Sequence, residues 1–395
     1  MTEFLYANAT SIFDYSDGAC SSLVNIFERI TNAGHKVFVV TGCTSTNISS
    51  YNYSKWIWGN NQSKKSNLIY RFIQNGVYYS LAKTSHWDRN SLTSFEQESI
   101  YREAISILDK TNVKCIIGWG NLLLEESIFK EAKSRNLKTI FYLVNSFYKD
   151  SGSYILKNCD AVITDSLATK NLYNKDIEGK CIILPKVIKE PKEYSPEINL
   201  VSKNCLFVNP VLEKGLEPFL LIAKYIHKNN PQINLICRDA KGTFKRELKK
   251  INQEFNEIPS NILIKNGTRD KEELFKDIKV LLVLSICHES GSSLIYEAYC
   301  RGIPVIAFNV GGNKELIGDF KENLFLKPDI SKDQNSNIRT IKWNPDEVAK
   351  RIKFIIDDTN TYKEYSKKIK KDYEKLRLDE KSLSMFNNLI KKLTI

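Results

Sequence analysis

No apolar run in the 395-residue chain approaches the roughly 18 to 20 residues needed to span a bilayer. The opening MTEFLYANAT also lacks the basic-then-apolar order of a secretory leader. These absences predict a cytoplasmic protein, with peripheral contact at the inner membrane face as the membrane role left open. None of the nine cysteines forms a CxxC pair: Cys20, Cys43, Cys115, Cys159, Cys181, Cys205, Cys237, Cys287 and Cys300 stand singly, several inside apolar strand-like runs. That usage suits a reducing compartment and argues against zinc and disulfides. Neither an Asp-x-Asp nor a His/carboxylate cluster is found, so no metal and no cofactor are expected. Internal repeats and low-complexity tracts are lacking too.

What is there fits an ordered protein: 42% hydrophobic, 26% charged and 11% aromatic residues. The length suits two domains of roughly 180 residues each rather than one core, and hence a cleft between them. Lys and Arg number 58 against 46 Asp and Glu, a formal charge of +12. This favours an anionic partner, whether nucleotide phosphates, an acidic lipid surface or nucleic acid. Lys-rich solvated helices would give the same total, so charge alone does not choose.

Short β-branched runs alternate with longer amphipathic ones, the pattern of βα units around parallel sheets. Strands are predicted at 3–8, 36–41, 77–83, 113–118, 138–144, 160–164 and 181–185, with helices at 18–33, 94–110 and 122–136. A second series is predicted at 205–209, 233–237, 262–265, 280–284 and 303–308. The polar stretch 186–204, with two prolines, reads as an interdomain linker. The expected division is therefore 1–190, 191–375, and a final helix over 376–395 returning to the first domain. After Pro328 the chain reads as Lys-rich amphipathic helices covering a sheet, and 44–70 has no clean period.

The strongest chemical signal is HESGSSLIYEAYCRGIPVIAFNVGGNKELI, residues 288–317, directly after an apolar strand. Gly291, Ser292 and Ser293 make a tight turn into a helix that runs to Arg301. Such a turn leaves free backbone N–H groups at a positive dipole end, which suits an anion such as a diphosphate. Glu289 before the turn and Glu297 within the helix could both face that ligand and accept hydrogen bonds from hydroxyls. Two incidental solvated glutamates beside a helix start would show the same spacing. Farther upstream, over residues 51–71, Tyr51, Tyr53, Trp56, Trp58 and Tyr70 interleave with Lys55, Lys64, Lys65 and Arg71. Rings beside cations suit a carbohydrate or lipid-headgroup platform, though an ordinary surface excursion would look alike.

Residues 288–317 resemble the signature of glycosyltransferase family 4 and its retaining GT-B relatives, with Glu289, Glu297, Ala298, Gly302, Pro304, Val305, Ala307, Gly311, Gly312 and Glu315 in register. Ser292 stands where a second glycine is common. The resemblance implies an α/β GT-B fold of two Rossmann-like domains, with parallel sheets facing across a cleft. It also implies that Glu289 contacts donor-sugar hydroxyls, that amides from Gly291 to Leu294 hold the diphosphate, and that Glu297 binds the ribose. The segment FVNPVLEKGLEPFLLIAKYI, 207–226, is similar to the family's strand-loop-helix, making Lys214 the donor-phosphate cation; Pro210 stands where many relatives carry arginine, and Arg238 is the candidate substitute. Gly267 and Thr268 fall where the nucleotide base packs. In the first half, Gly18 lies in a resemblant acceptor-side glycine loop and His35 in a structural turn. Asn121 and Asn145 stand after strands where relatives often place histidines, so the acceptor side has diverged.

The expected activity is transfer of a sugar, most simply a hexose, from a UDP- or GDP-sugar to a hydroxyl of a carbohydrate, glycolipid or small molecule, with retention of configuration. Another GT-B activity, such as a phosphorylase or epimerase, would reuse the same phosphate site. A non-catalytic binder of sugar nucleotides or nucleic acid is the remaining alternative; single-strand binding would need a basic aromatic platform, and only the stretch near Trp56 and Trp58 comes close.

Overall fold

The computed structural model describes residues 1–60, 68–148, 153–189, 191, 199–251, 258–317, 325–326, 329–332, 339–376 and 380–394. It divides into two compact units, Met1–Val187 with Leu378–Ile395, and Ile188–Arg377. Among the described residues no helix is long and apolar enough to cross a membrane.

In the first unit β1 (Glu3–Thr10), α1 (Gly18–Asn32), β2 (Lys36–Thr44), α2 (Ile48–Asn60), β3 (Ile69–Gln74) and β4 (Val77–Ala82) are followed by α3 (Ser94–Lys110), β5 (Val113–Gly118), α4 (Leu123–Ser134), β6 (Lys138–Leu143), β7 (Ala161–Thr164) and β8 (Cys181–Ile183). The eight strands lie in the order β3-β4-β2-β1-β5-β6-β7-β8, and only the β3–β4 pair is antiparallel. β1 is central and covered on both sides, which is why it is apolar from Phe4 to Ala7 and buries even Asn8 and Thr10. Its side chains alternate between faces with period two. Phe4 and Tyr6 meet Leu23, Ile26, Phe27 and Ile30 of α1, while Leu5 and Ala7 meet α3 and α4 through Ile100, Ala104, Ile128 and Phe129. Asp17 caps α1 by accepting from Ala19 N at 2.7 Å, and Thr93 with Glu96 forms a capping box on α3.

Two elements here differ from expectation. The β3–β4 hairpin turns at Asn75 and Gly76, both at positive φ (49° and 78°), the backbone of the tight turn that Asn-Gly favours. α2 occupies the stretch without a period because its buried stripe is largely hydroxylic. Ser50, Tyr51, Ser54 and Ile57 face inward, with Ser54 Oγ donating to Ser11 Oγ at 2.8 Å and Tyr51 Oη to Thr84 O at 2.9 Å.

The second unit contains β9 (Asn204–Val208), α5 (Leu216–Asn229), β10 (Asn234–Asp239), β11 (Ile262–Asn266), α6 (Lys271–Phe275), β12 (Val280–Val283), α7 (Ser293–Tyr299), β13 (Val305–Phe308) and β14 (Phe325–Leu326). All pairs are parallel, in the order β11-β10-β9-β12-β13-β14. Numbered within the unit this is 3-2-1-4-5-6, the strand order of dinucleotide-binding folds. A small antiparallel pair, β15 (Asp329–Lys332) and β16 (Arg339–Lys342), precedes the Lys-rich helices expected after Pro328. Helices α8 (Pro345–Asp357) and α9 (Thr359–Leu376) follow it. Their apolar stripes, Val348, Ile352, Ile355 and Ile356, then Tyr362, Tyr365, Ile369 and Tyr373, join α5 in one core. Each such buried side chain contributes about 1.5–3 kcal/mol of transfer free energy.

The last helix, α10 (Glu380–Thr394), sets Phe386 and Ile390 into the α1 side of the first core, with the Phe386 and Phe4 rings 6.3 Å apart. Around the division between units, Lys186, Val187 and Ile188 are buried rather than loosely solvated as a polar linker would be. Asp165 fixes Lys186 at 2.7 Å and also accepts from Tyr142 Oη at 2.8 Å. Residues 190 and 192–198 of the expected linker lie outside the described residues.

Candidate active site

In an open parallel sheet, ligands bind beyond the carboxyl ends of the strands where the winding reverses. In the second unit that place lies between β9 and β12, so the loops after these strands form it. The loop after β9 passes through Asn209, at φ 61°, into a single turn over Leu212–Lys214 and then Gly215 at φ 90°. A Cβ on Gly215 would stand 2.0 Å from Leu284 O, so only glycine lets the two loops come this close. Ile286 N then donates to Glu213 O at 2.9 Å, binding one loop to the other.

This contact brings Lys214 to Glu289 across 75 positions of sequence, with Nζ 2.5 Å from Oε1. Ser285 Oγ donates to the same oxygen at 2.5 Å. From behind, the Gly311–Gly312 turn after β13 fixes the Glu289 backbone: Gly312 N donates to Glu289 O at 2.7 Å, and a Cβ on Gly311 would lie 2.0 Å from that oxygen. Gly291, at φ 129°, leads into α7, whose N-cap Ser292 makes no side-chain capping bond. Ser292 N is held instead by Asn313 Oδ1 at 3.2 Å, with Ser293 and Leu294 following in the first turn.

Glu297 lies farther along α7 with its side chain 7% exposed, and Lys271 Nζ is 3.0 Å from its Oε2. Each carboxylate of the motif therefore has a lysine partner, drawn from a different loop. Lys271 and Ser285 were not foreseen; a solitary lysine in a chain with 58 Lys and Arg carries no local signal. Arg238 is at the end of β10 and buried; its guanidinium donates to Asn266 O at 3.0 Å and Glu273 Oε1 at 3.1 Å. Its hydrogen bonds thus brace the loop after β11. In that loop a Cβ on Gly267 would meet Ala240 Cα at 2.5 Å, and Thr268 Oγ1 donates to Glu273 Oε2 at 2.6 Å.

In the first unit the reversal falls between β1 and β5. Gly18 is the exposed first residue of α1. The loop before it is built around buried Asp14, which accepts from Ser16 N at 3.0 Å and from Thr46 N at 2.7 Å. Asn121 is exposed just after β5. Beside it Glu125, almost fully buried, accepts from Ala9 N and Leu122 N, both at 2.9 Å, and pairs with Arg89 at 3.4 Å. Asn145 Oδ1 accepts from Phe147 N at 3.1 Å. His35 Nδ1 accepts from Thr2 N at 3.1 Å, a structural contact.

The aromatic segment divides. Trp56 is 56% exposed and stacks on Tyr53 with centroids 6.0 Å apart. Trp58 instead donates from Nε1 to Leu68 O at 3.3 Å, beneath Lys83. Tyr51 is buried. Arg71 binds both oxygens of buried Glu103, so its charge is committed to the fold. Lys64 and Lys65 lie outside the described residues.

With two parallel-sheet domains and this pair of switch points, the chain has the GT-B fold of glycosyltransferases. Solved structures similar along the whole length share it. One is a glycosyltransferase from Rickettsia africae, with 16% identity, 99% of each chain covered and a TM-score of 0.66. HepE of Anabaena in complex with UDP and glucose has 12% identity, 100% of each chain covered and a TM-score of 0.66. The pneumococcal O-GlcNAc transferase GtfA in complex with UDP and GlcNAc has 11% identity, 99% of each chain covered and a TM-score of 0.63. Residues 195–372, which carry Lys214, Lys271, Glu289 and Glu297, match the family model "Glycosyl transferases group 1". No curated protein sequence matches the chain significantly.

Proposed function

We propose that the protein is a glycosyltransferase that moves a sugar from a nucleotide-sugar donor to a hydroxyl acceptor with retention of configuration. The observation that carries this reading is the meeting of Lys214 with Glu289 at the switch point of the second sheet, 2.5 Å apart. An ammonium beside a carboxylate suits a ligand carrying both phosphate and hydroxyl groups. In this reading Glu289 accepts from donor-sugar hydroxyls and Glu297 from the ribose, while Lys214 and the amides from Gly291 to Leu294 take the diphosphate. The loop at Gly267 and Thr268 packs the base.

The anomeric carbon–oxygen bond to the diphosphate breaks as the acceptor oxygen bonds the same face of the sugar, and the departing phosphate oxygen takes the acceptor proton. Preorganised positive charge is the dominant help to such a departure. Lys214 supplies it without reorganisation, because Glu289 and the loop contact at Glu213 already hold the β9 loop in place. No metal enters this scheme. On the acceptor side, the exposed Tyr53–Trp56 pair suits the apolar face of a carbohydrate or glycolipid headgroup.

UDP in the HepE and GtfA complexes supports a UDP-sugar as the first donor to try, with GDP-sugars next. The test is a thermal-shift panel of UDP-, GDP-, ADP- and TDP-sugars, followed by NMR of the first product. A true donor at 100 times its Kd should stabilise the protein by about 2.7 kcal/mol, and the product should keep the donor's anomeric configuration. Absence of stabilisation by every member ends the donor-site reading; an inverted product ends the retaining one.

A further inference from the structure

We propose that Lys271 is a positioning residue for the nucleoside: its ammonium holds one oxygen of Glu297 and leaves the other to accept from the ribose. The inference rests on the reading above that Glu297 receives the ribose. Lys271 Nζ bonds Oε2 at 3.0 Å. Among the described residues, no hydrogen bond to Oε1 accompanies it. A carboxylate only 7% exposed is strongly unfavourable without a counter-charge. It would also repel a diphosphate bound at the start of the same helix. The lysine relieves both effects and fixes the carboxylate's orientation.

Lys271 is itself held in place. Asp270 caps α6, accepting from Glu272 N at 2.9 Å. The next side chain, Glu272, pairs with Arg301, which is 1% exposed and donates from Nη1 to Glu297 O at 2.9 Å. Two neighbouring residues of α6 therefore grip α7 and the residue four beyond Glu297, one on the carboxylate and one on the guanidinium. Because α6 directly follows the loop at Gly267 and Thr268, the segment that would pack the base also sets the ribose acceptor. Recognition of base and sugar would then be coupled through one short piece of chain.

The experiment measures the affinity of the full chain for UDP and GDP, each against its 2′,3′-dideoxy counterpart, in wild type, Lys271→Met, Lys271→Arg and Glu297→Gln. The wild type should prefer the ribonucleotide by about tenfold, the cost of one buried acceptor left unpaired. Lys271→Met, which keeps the aliphatic stem, should bring the preference close to unity and weaken the dideoxynucleotide as well, because the uncovered carboxylate then repels the diphosphate that both ligands carry. Lys271→Arg should restore it, which loss of folding alone would not allow; Lys271→Gln serves as a second neutral variant should the methionine form melt early. If Lys271→Met keeps the full preference while Glu297→Gln loses it, the positioning role is wrong and the ribose reading stands. Tighter ribonucleotide binding by Lys271→Met would make the lysine a competitor and also overturn the proposal. If Glu297→Gln keeps the preference, or wild type binds neither ribonucleotide, the ribose reading fails and this inference with it.

Discussion

Gly311→Ala offers a sharp test of how Glu289 is placed, because it adds one methyl group behind the residue and touches no proposed ligand contact. The new Cβ would stand 2.0 Å from Glu289 O, 2.8 Å from its N and 2.9 Å from its C. Such contacts are not tolerated below about 3 Å, so the Glu289 backbone must retreat by about 1 Å, and a displacement of that size costs about 10²-fold in turnover. The bond from Gly312 N to Glu289 O, 2.7 Å long, is strained by the same movement. A side chain at φ 54° adds about 1 kcal/mol of conformational cost. Gly242→Ala in the same unit separates the two effects, since φ is 64° and nothing lies within 4 Å of its Cβ. It should lower Tm by about 2–4 °C and leave turnover alone. The assay is steady-state release of the nucleoside diphosphate from whichever donor the thermal-shift panel identifies, with affinity for that diphosphate by calorimetry as the control for Glu297 and Lys271. Turnover of Gly311→Ala within about threefold of Gly242→Ala, well short of the loss worked out above, would refute the reasoning.

Lys214→Ala should weaken donor binding and turnover together, since one cation meets both bound and departing diphosphate; isotherms and rates like those of wild type would remove it from the site. Glu289→Ala should cut turnover far more than donor affinity, and equal losses in the two would point to a ground-state role. Trp56→Ala should abolish transfer yet spare slow donor hydrolysis and Tm, whereas Trp58→Ala should lower Tm because it frees Leu68 O and uncovers Lys83; a Trp56 variant with normal transfer would move the acceptor elsewhere. Glu103 gives a pH test. Burial raises its carboxyl pKa, but hydrogen bonds from Arg71 and Ser80 outweigh this and hold it below the ordinary range. Its stabilising effect is therefore complete above the unfolded value of about 4.3 and lost as pH falls through the lower folded one. The Tm deficit of Glu103→Gln should shrink from pH 7 toward acid, and a deficit constant with pH would contradict the assignment.

The second sheet was legible in the sequence because its strands are short, apolar and separated by amphipathic helices, and the segment around Glu289 and Glu297 stood out through its resemblance to a family signature, since the spacing alone also fitted two solvated glutamates. The pairing of Glu289 with Lys214 was not, since it depends on Gly215 letting two loops touch, a property of backbone approach rather than of local pattern. α2 escaped notice because Ser50 and Ser54 occupy its buried stripe, and hydrophobic periodicity cannot register a face closed by hydroxyl hydrogen bonds. The β3–β4 hairpin did carry a signal, Asn75-Gly76, lost inside a stretch read only for period. Of the aromatic–cation platform, the ring composition was visible but the inward turn of Tyr51 and the commitment of Arg71 to Glu103 were tertiary facts. Lys271 owes its place to α6 lying against α7, which no window of sequence contains.

The assignment of α10 to the first unit has a consequence for how the chain is made. All of Ile188–Arg377 is synthesised before Phe386 and Ile390 exist, so the second unit can fold to completion while the α1 side of the first core still lacks two of its apolar side chains. Domains of a nascent chain ordinarily mature from the amino end; here the first unit to begin is the last to finish. Until α10 arrives, the Phe4 ring faces the gap that Phe386 will fill, an apolar patch that a chaperone would have to shield.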